Sequence, residues 1–474
     1  MARYITTTLP YVNAAPHIGH ALEFVQADAY ARALRLAGEE VLFNTGTDEH
    51  GQKIYQKAQE SGQTPQEYVD HFAAEFEKLK GAYNLSYDRF IRTTDPLHKA
   101  AAQEFWRRCE AAGDIYKKSY QVRYCVGCEL EKSDSELVDG KCPLHPSMEL
   151  ETIDEENYFF RFSNYQDRLL ALYKGEADFL VPRHRINEMI SLIEREGLQD
   201  FSISRLAEKM PWGIEVPGDA SQVMYVWFDA LVNYISTLGW PTDTETYEKF
   251  WPGVQFAGKD QVRQQAAMWQ AMLMSVGLPT TSQIFIHGFI TSGGQKMSKS
   301  LGNTIDPLEY VDRYGTDAVR YVLLRHIHPF EDSDLTRERF EELYTANLVN
   351  GLGNLVARVM KLAEEHIEPV VLTAEDYAIE PAFTAHIERF AFNDAMDLVF
   401  EHVGKGDEYM TEHEPYKKIK TEEADTARAD IEKLVRHIAK IAAHLAPFMP
   451  ETSEKILSAV RENKKPENLF PRLP

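Results

Sequence analysis

The chain has 474 residues, room for about three domains, and 44% of them are hydrophobic, which suffices for several cores. Its 51 basic and 74 acidic side chains leave a net charge of −23, so the overall field repels polyanions and a nucleic-acid partner needs local basic patches or stacking. No apolar run approaches the ~18 residues of a membrane span, and Met1-Ala2-Arg3-Tyr4 runs into a strand with no apolar export segment, so no membrane partner and a cytoplasmic location are expected.

In chain order, Arg3-Tyr4-Ile5-Thr6-Thr7-Thr8 is rich in β-branched residues and reads as a strand, and Leu9-Pro10-Tyr11-Val12-Asn13 reads as a turn. His20 to Leu36 carries helical periodicity closed by Gly38, and Val41-Leu42-Phe43 reads as a second strand. This is the opening of a parallel α/β sheet, with its ligand at the strand ends. The string His17-Ile18-Gly19-His20 falls at the strand-to-helix junction, where unpaired N–H groups and the positive end of the helix dipole attract phosphate. Gly19 would let a base approach the backbone closely. Read alone, the two histidines equally suit a helix cap behind Pro16.

Residues 114 to about 215 interrupt the pattern and look inserted. Three of the four cysteines sit here, in Cys125-Val126-Gly127-Cys128 and Cys142-Pro143-Leu144-His145. Each short knuckle puts two donors on one tight turn, so three thiolates and one imidazole suit a single closed tetrahedral zinc site that shapes the insertion and does no chemistry. Reduced thiols in a loop are the plainer reading. Cys109, in the amphipathic stretch Ala100 to Ala112, reads as core.

The apolar strings Val223-Met224-Tyr225-Val226-Trp227-Phe228 and Ile284-Phe285-Ile286-His287-Gly288 are expected to complete the sheet. Lys296-Met297-Ser298-Lys299-Ser300 then follows the last strand, flanked by Thr291-Ser292-Gly293-Gly294-Gln295. A glycine-rich flank suits a solvated linker, and it also suits a loop that closes over a triphosphate. Two imidazoles and two ammonium groups converging on one polyphosphate would equip an ATP-using enzyme, and this is the reading the strings favour. From about residue 345 the apolar spacing turns helical, through Leu348-Leu352-Leu355-Val356-Val359 and Ile431-Leu434-Val435-Ile438-Ile441, and predicts a bundle. The layout expected is a catalytic domain in two halves, 1–113 and 216–344, around a zinc-binding insertion at 114–215, with a helical bundle at 345–474.

Taken together, Gly46-Thr47-Asp48-Glu49-His50-Gly51, Phe90-Ile91-Arg92-Thr93-Thr94, Pro211-Trp212-Gly213-Ile214, Tyr225-Val226-Trp227-Phe228-Asp229-Ala230, Gly258-Lys259-Asp260 and Lys296 to Asn303, with the histidine string and the Cys3His set, resemble class I aminoacyl-tRNA synthetases, and within them the methionyl family. The resemblance covers nearly the whole chain. It implies an α/β, Rossmann-like parallel-sheet catalytic domain followed by an all-α anticodon-binding bundle. It also implies a two-step reaction. The carboxylate of L-methionine attacks the α-phosphate of ATP, pyrophosphate leaves with Mg2+, and the methionyl group passes to the 3'-terminal adenosine of tRNA(Met), initiator and elongator. A carboxylate needs no base, so positioning and charge stabilisation supply the acceleration.

By that resemblance His17, His20, Lys296 and Lys299 are the catalytic groups, and Gly19, Lys259 and Ser298 join them around ATP. Asp48 would hold the substrate ammonium. Leu9, Tyr11, Trp227, Ala230, Tyr234, Gln265 and Trp269 would form the side-chain pocket, where aromatic edges favour a thioether. Cys125, Cys128, Cys142 and His145 would hold one structural Zn2+. Two departures stand out. Gln265 occupies the place of a family histidine, and in the bundle Asp407 and Tyr416 stand where the family reads the anticodon with an asparagine and a tryptophan. The chain stops at Pro474 after the bundle, so a monomer is expected.

Rival readings remain. The insertion is too short for the editing domain of the branched-chain synthetases, and the zinc donors cluster differently from the cysteine enzyme. A nucleotidyltransferase acting on a small metabolite does not need the long helical tail, and a protein kept for binding alone does not need intact histidines and lysines.

Overall fold

The computed structural model describes residues 2–132, 136–297 and 305–473. They divide into two compact units, each discontinuous in sequence. One comprises Met1–Pro16, Glu40–Lys78 and Tyr87–Ile286, and the other His17–Glu39, Leu79–Ser86 and His287–Pro474.

The first unit is built on a six-stranded sheet. β1 (Ala2–Thr7) lies centrally, with β2 (Glu40–Thr47) and β3 (Arg89–Arg92) on one side and Val254–Gly258, Gln283–His287 and Leu180–Val181 on the other. β1 pairs in parallel with both neighbours, Ile5 lying opposite Phe43 and Val254. Strands buried on both faces need near-continuous apolar sequence, and every residue of Val254–Gly258 is buried. Gly46 is required by close approach: a Cβ there would lie 1.8 Å from the Ile91 carbonyl oxygen of β3. Because the strand order reverses beside β1, a crevice opens at the carboxyl ends of the strands. Leu9 and Tyr11 follow β1, Asp48 follows β2, and Lys259 follows Val254–Gly258.

Val223–Phe228 does not complete the main sheet. Asp219–Met224 pairs antiparallel with Ser204–Leu206 and Glu215–Val216 in a separate three-stranded sheet, and the chain then enters a short helix, Val226–Ala230. A short apolar run has no period that separates strand from helix. The strand beside β1 is Val254–Gly258, and Trp251-Pro252-Gly253 in front of it was the available punctuation. Within the stretch read as an insertion, Leu180–Val181 returns to the main sheet edge, while Leu130–Lys132, Ile115–Cys125, Glu151–Phe160 and Phe201–Ser202 form a four-stranded sheet of their own.

In the second unit α1 (Ile18–Leu36) packs with the helix Thr316–Arg325. Helices begin at Pro307 and run to Glu462, and the leucine, valine and isoleucine rows read from the sequence are all buried. Arg320, fully buried, ties this unit together. Its guanidinium contacts Asp28 Oδ2 at 2.7 Å and donates to the carbonyls of Tyr83, Pro447 and Phe448 at 3.0, 3.0 and 2.7 Å. Burial alone would raise the Asp28 pKa, yet Arg320, Arg32 and Ser86 hold it below the usual carboxylate value. No helix among the described residues is long and apolar enough to cross a membrane.

Candidate active site

At the crevice of the first unit, the segment after β1 is laced to the end of β2. Val12 N–H donates to the Asp48 carbonyl at 3.1 Å, and Asp48 N–H donates to that of Pro10 at 2.9 Å. Adjacent acids are treated very differently. Glu49 is clamped by Arg92 through two bonds of 2.6 and 2.9 Å and by the Thr47 hydroxyl at 2.6 Å. Asp48 is 6% exposed, and its Oδ1 has no hydrogen-bond partner among the described residues. Burial, then the negative fields of Asp229, Glu129 and Glu49, hold the Asp48 pKa well above the usual carboxylate value. Such a carboxyl is ready for an incoming cation.

Among the side chains expected to form the pocket, Trp269 and Tyr234 are fully buried with ring centroids 5.8 Å apart, Ala230 and Leu9 are nearly so, and Trp227 is half-buried. The indole N–H groups of Trp227 and Trp269 and the Gln265 Oε1 are buried without partners among the described residues. Native interiors rarely leave such atoms unpaired, so their clustering on pocket positions is informative. Gln265 lies in a wide helical turn, Gln264–Met268, that joins the helix Trp269–Ser275. Lys259 lines a 660 Å³ concavity with Asp260, Arg263 and the helix His184–Glu196.

Sequence reasoning missed a buried lock behind this pocket. Asp229, on the same short helix as Trp227 and Ala230, is held by His50 Nδ1 at 2.7 Å and His98 Nε2 at 2.8 Å, and His98 Nδ1 meets Ser236 Oγ at 2.9 Å. Burial would raise the Asp229 pKa, but His50 and His98 bring it down to about 2. His50 and Asp229 both stood in strings the resemblance singled out, without a role.

In the second unit His17 caps α1. Its Nδ1 accepts from Gly19 N–H at 3.1 Å, while His20 Nδ1 accepts from His17 N–H at 3.2 Å. The rings stack with centroids 3.7 Å apart. A ring that accepts at Nδ1 carries its proton at Nε2, so both imidazoles keep an Nε2–H donor. Burial, then the charges of His17 and His287, push the His20 pKa well below its ordinary value, so His20 is neutral near pH 7. Residues on either side of the lysine string contact this helix. His287, just before it, contacts Glu23 of α1 at 2.9 Å, and Ile18 N–H donates to the carbonyl of Ile305, just after it, at 3.3 Å. Gln295–Lys296 is the return strand of a hairpin with Ile290–Ser292. Ser298 and Lys299 lie outside the described residues.

The four expected metal donors do come together. The ligand atoms of Cys125, Cys128, Cys142 and His145 lie within 4.8 Å of one another, with His145 Nδ1 facing the Cys128 sulfur at 3.2 Å. In each knuckle the second donor's N–H bonds back to the carbonyl of the first, Cys128 to Cys125 at 3.2 Å and His145 to Cys142 at 3.1 Å. Four converging soft donors fit a closed tetrahedral metal site.

Comparison with known proteins shows the family. The family model described as tRNA synthetases class I (M) matches residues 3–151 and 146–360, and the anticodon binding domain of methionyl tRNA ligase matches 373–471. The methionine–tRNA ligase of Thermosynechococcus vestitus is 42% identical over 471 residues, covering 95% of this chain and 88% of that one. The chain belongs to the methionine–tRNA ligases. The Rhizobium meliloti methionine–tRNA ligase is 41% identical over 474 residues, covering 96% of this chain and 91% of its own. Among solved structures, Mycobacterium tuberculosis methionyl-tRNA synthetase in complex with methionyl-adenylate superposes with a TM-score of 0.90 at 36% identity, covering 99% of this chain and 98% of that one. The apo form of the same enzyme gives 0.82 at 33% identity, covering 100% and 98%.

For a methionine–tRNA ligase the bundle residues then matter. Asp407 contacts Arg358 at 3.3 Å, a partner the sequence did not suggest, and burial raises the Asp407 pKa against the Arg358 charge. Tyr409 is engaged already, stacked on His413 and bonded to Asp430 at 2.6 Å, whereas Tyr416 is 39% exposed. A 440 Å³ groove beside Tyr409 is lined by Lys405, Lys433, Arg436 and Lys440, facing Glu375 and Asp376. This is a local concentration of base on an acidic chain.

Proposed function

We propose that the chain activates L-methionine with ATP and passes the methionyl group to the 3'-terminal adenosine of tRNA(Met), initiator and elongator alike. The observation that carries the reading is Asp48, a buried carboxyl with an unpartnered oxygen beside an aromatic pocket. A substrate ammonium there gains a charge-assisted bond, and it also relieves the mutual repulsion of Asp48 with Asp229, Glu129 and Glu49. Tyr11, Leu9, Trp227, Ala230, Tyr234, Gln265 and Trp269 enclose the side chain, and the Asp229 lock fixes the helix that carries two of them.

His17 and His20 act through their Nε2–H donors on the charge that develops at the α-phosphate, with Gly19 beside the nucleotide. Neutral donors held in place do this without reorganising at the moment of reaction. Lys296 and Lys299, with Ser298, hold the triphosphate, and Lys259 assists. Mg2+ bound with ATP would offset the charge of the triphosphate and of the departing pyrophosphate. Zn2+ suits the Cys3His set, one per chain, and four protein ligands leave it a structural role. In the bundle, Tyr416 stacks on an unpaired anticodon base while Arg358 and Asp407 read polar edges, and the basic groove supplies phosphate contacts. A cytoplasmic monomer completes the proposal.

The test is amino-acid-dependent exchange of pyrophosphate into ATP across all twenty amino acids, followed by charging of tRNA(Met) transcripts. Exchange that depends on an amino acid other than methionine would overturn the proposal.

A further inference from the structure

Glu129 belongs to the first metal knuckle, directly after Cys128, and its backbone turns left-handed there, with φ at +50°. Its side chain does not face solvent. It is 4% exposed, and both carboxyl oxygens are taken: Oε1 accepts from Tyr11 Oη at 2.8 Å and from Lys53 N–H at 2.9 Å, and Oε2 accepts from Tyr124 Oη. The space is cut to this arrangement. Gly51, with φ at +120°, could carry no Cβ, since one would sit 2.6 Å from Tyr11 Oη and 3.2 Å from Glu129 Oε1. A cluster of Tyr124, Val126, Tyr225 and Val226 packs against Tyr11 and Trp227. Arg205 lies over the rings of Tyr124 and Tyr225 at 5.0 and 4.5 Å.

We propose that Glu129 is a positioning residue for the amino-acid pocket, acting through the Tyr11 hydroxyl. A tyrosine at the mouth of a pocket, tethered only by its backbone, would sample several ring positions; a buried acceptor behind it selects one. Tyr11 is also bridged to Asp48 through the flanking backbone bonds, so the same tether fixes the acid that meets the substrate ammonium. The chain of contacts runs from the knuckle turn to Glu129, to Tyr11, to Asp48. A group so buried and so fully bonded could simply fasten the knuckle to the sheet. The two roles differ in what they protect: fastening protects metal content and melting temperature, whereas positioning protects methionine affinity.

This rests on the reading that the pocket takes methionine. The experiment is equilibrium titration calorimetry of methionine on the unsubstituted chain, Glu129→Gln, Tyr11→Phe and the double variant. Metal content, melting temperature and the KM for ATP in pyrophosphate exchange are measured on each. Glutamine keeps the size but offers one acceptor oxygen where three donors compete, and Tyr11→Phe removes the hydroxyl without touching the knuckle. Each single variant should weaken the methionine Kd about tenfold, the scale of one buried charge-assisted bond, and the double variant no more than the worse single. Metal should stay at one per chain and the KM for ATP within about twofold. Unchanged methionine affinity in either single variant, additive losses in the double, or loss confined to a Glu129→Gln protein that has also lost its metal would each overturn the proposal. The unsubstituted chain's own methionine binding and exchange activity report separately on the functional reading.

Discussion

Asp48 is buried beside three other acids, and no side chain among the described residues bonds its Oδ1. Its pKa is therefore raised while the pocket is empty, and a bound ammonium must bring it down again. Methionine binding should then release a proton, and methionine affinity should rise with pH through the Asp48 titration. Calorimetry in buffers of different ionisation enthalpy measures that proton; zero release at a pH below the titration would contradict the assignment. Gln265 poses a second question at this scale. Its buried Oε1 and the neighbouring Trp269 N–H both lack partners among the described residues, so a substrate or an ordered water is needed there. Gln265→Ala should weaken methionine binding by about 1–2 kcal/mol, the scale of one buried hydrogen bond, and equal affinity would remove Gln265 from the recognition set.

At the scale of elements, the tight seam between β2 and β3 sets a sharp expectation. Gly46→Ala puts a methyl group into the Ile91 carbonyl, so the strands must separate where Asp48 and Arg92 leave the sheet. Destabilisation of about 2 kcal/mol or more is expected, with methionine affinity falling alongside, as thermal melting and calorimetry on one sample would show. How far the elements were legible in the sequence follows the range of their causes. The helix from the histidine string, the two knuckles and the rows Leu348 to Val359 and Ile431 to Ile441 rest on spacings of a few residues, and their folds and burials match. Val223–Phe228 was misplaced because its apolar run has no period, and Val254–Gly258 was passed over because five buried residues are a short signal. Glu129 and Asp229 were unreadable for a different reason. Their partners Tyr11, His50 and His98 lie 118, 179 and 131 residues away, and no local pattern records such pairings.

For the molecule as a whole, the second unit depends on groups that dislike acid. His20, His326, His437 and His444 all have pKa values lowered by burial, that of His326 to about 4. The unfolded chain binds protons at these sites near pH 6.5, before the folded chain does, so this contribution to stability is complete above that pH and is lost as pH falls below it, for His326 down to about 4. A melting temperature that declines from about pH 6.5 downward is expected, and a flat profile to pH 5 would contradict it. Arg320 is the other global determinant. Arg320→Met removes one of the two guanidinium partners of Asp28, leaving Arg32 and Ser86, and takes the donor from three carbonyls; it should cost about 3 kcal/mol by denaturant titration, the low end for a broken buried pair. That same clasp carries a consequence for biosynthesis. Its acceptors come from residues 28, 83, 447 and 448, so the helix that carries Asp28 leaves the ribosome well ahead of the Arg320 side chain that binds it. The nascent helix can bond to Asn84 and Ser86 early in synthesis, gains the Arg320 contact to Asp28 only once residue 320 has emerged, and the carbonyls of Pro447 and Phe448 close the clasp last.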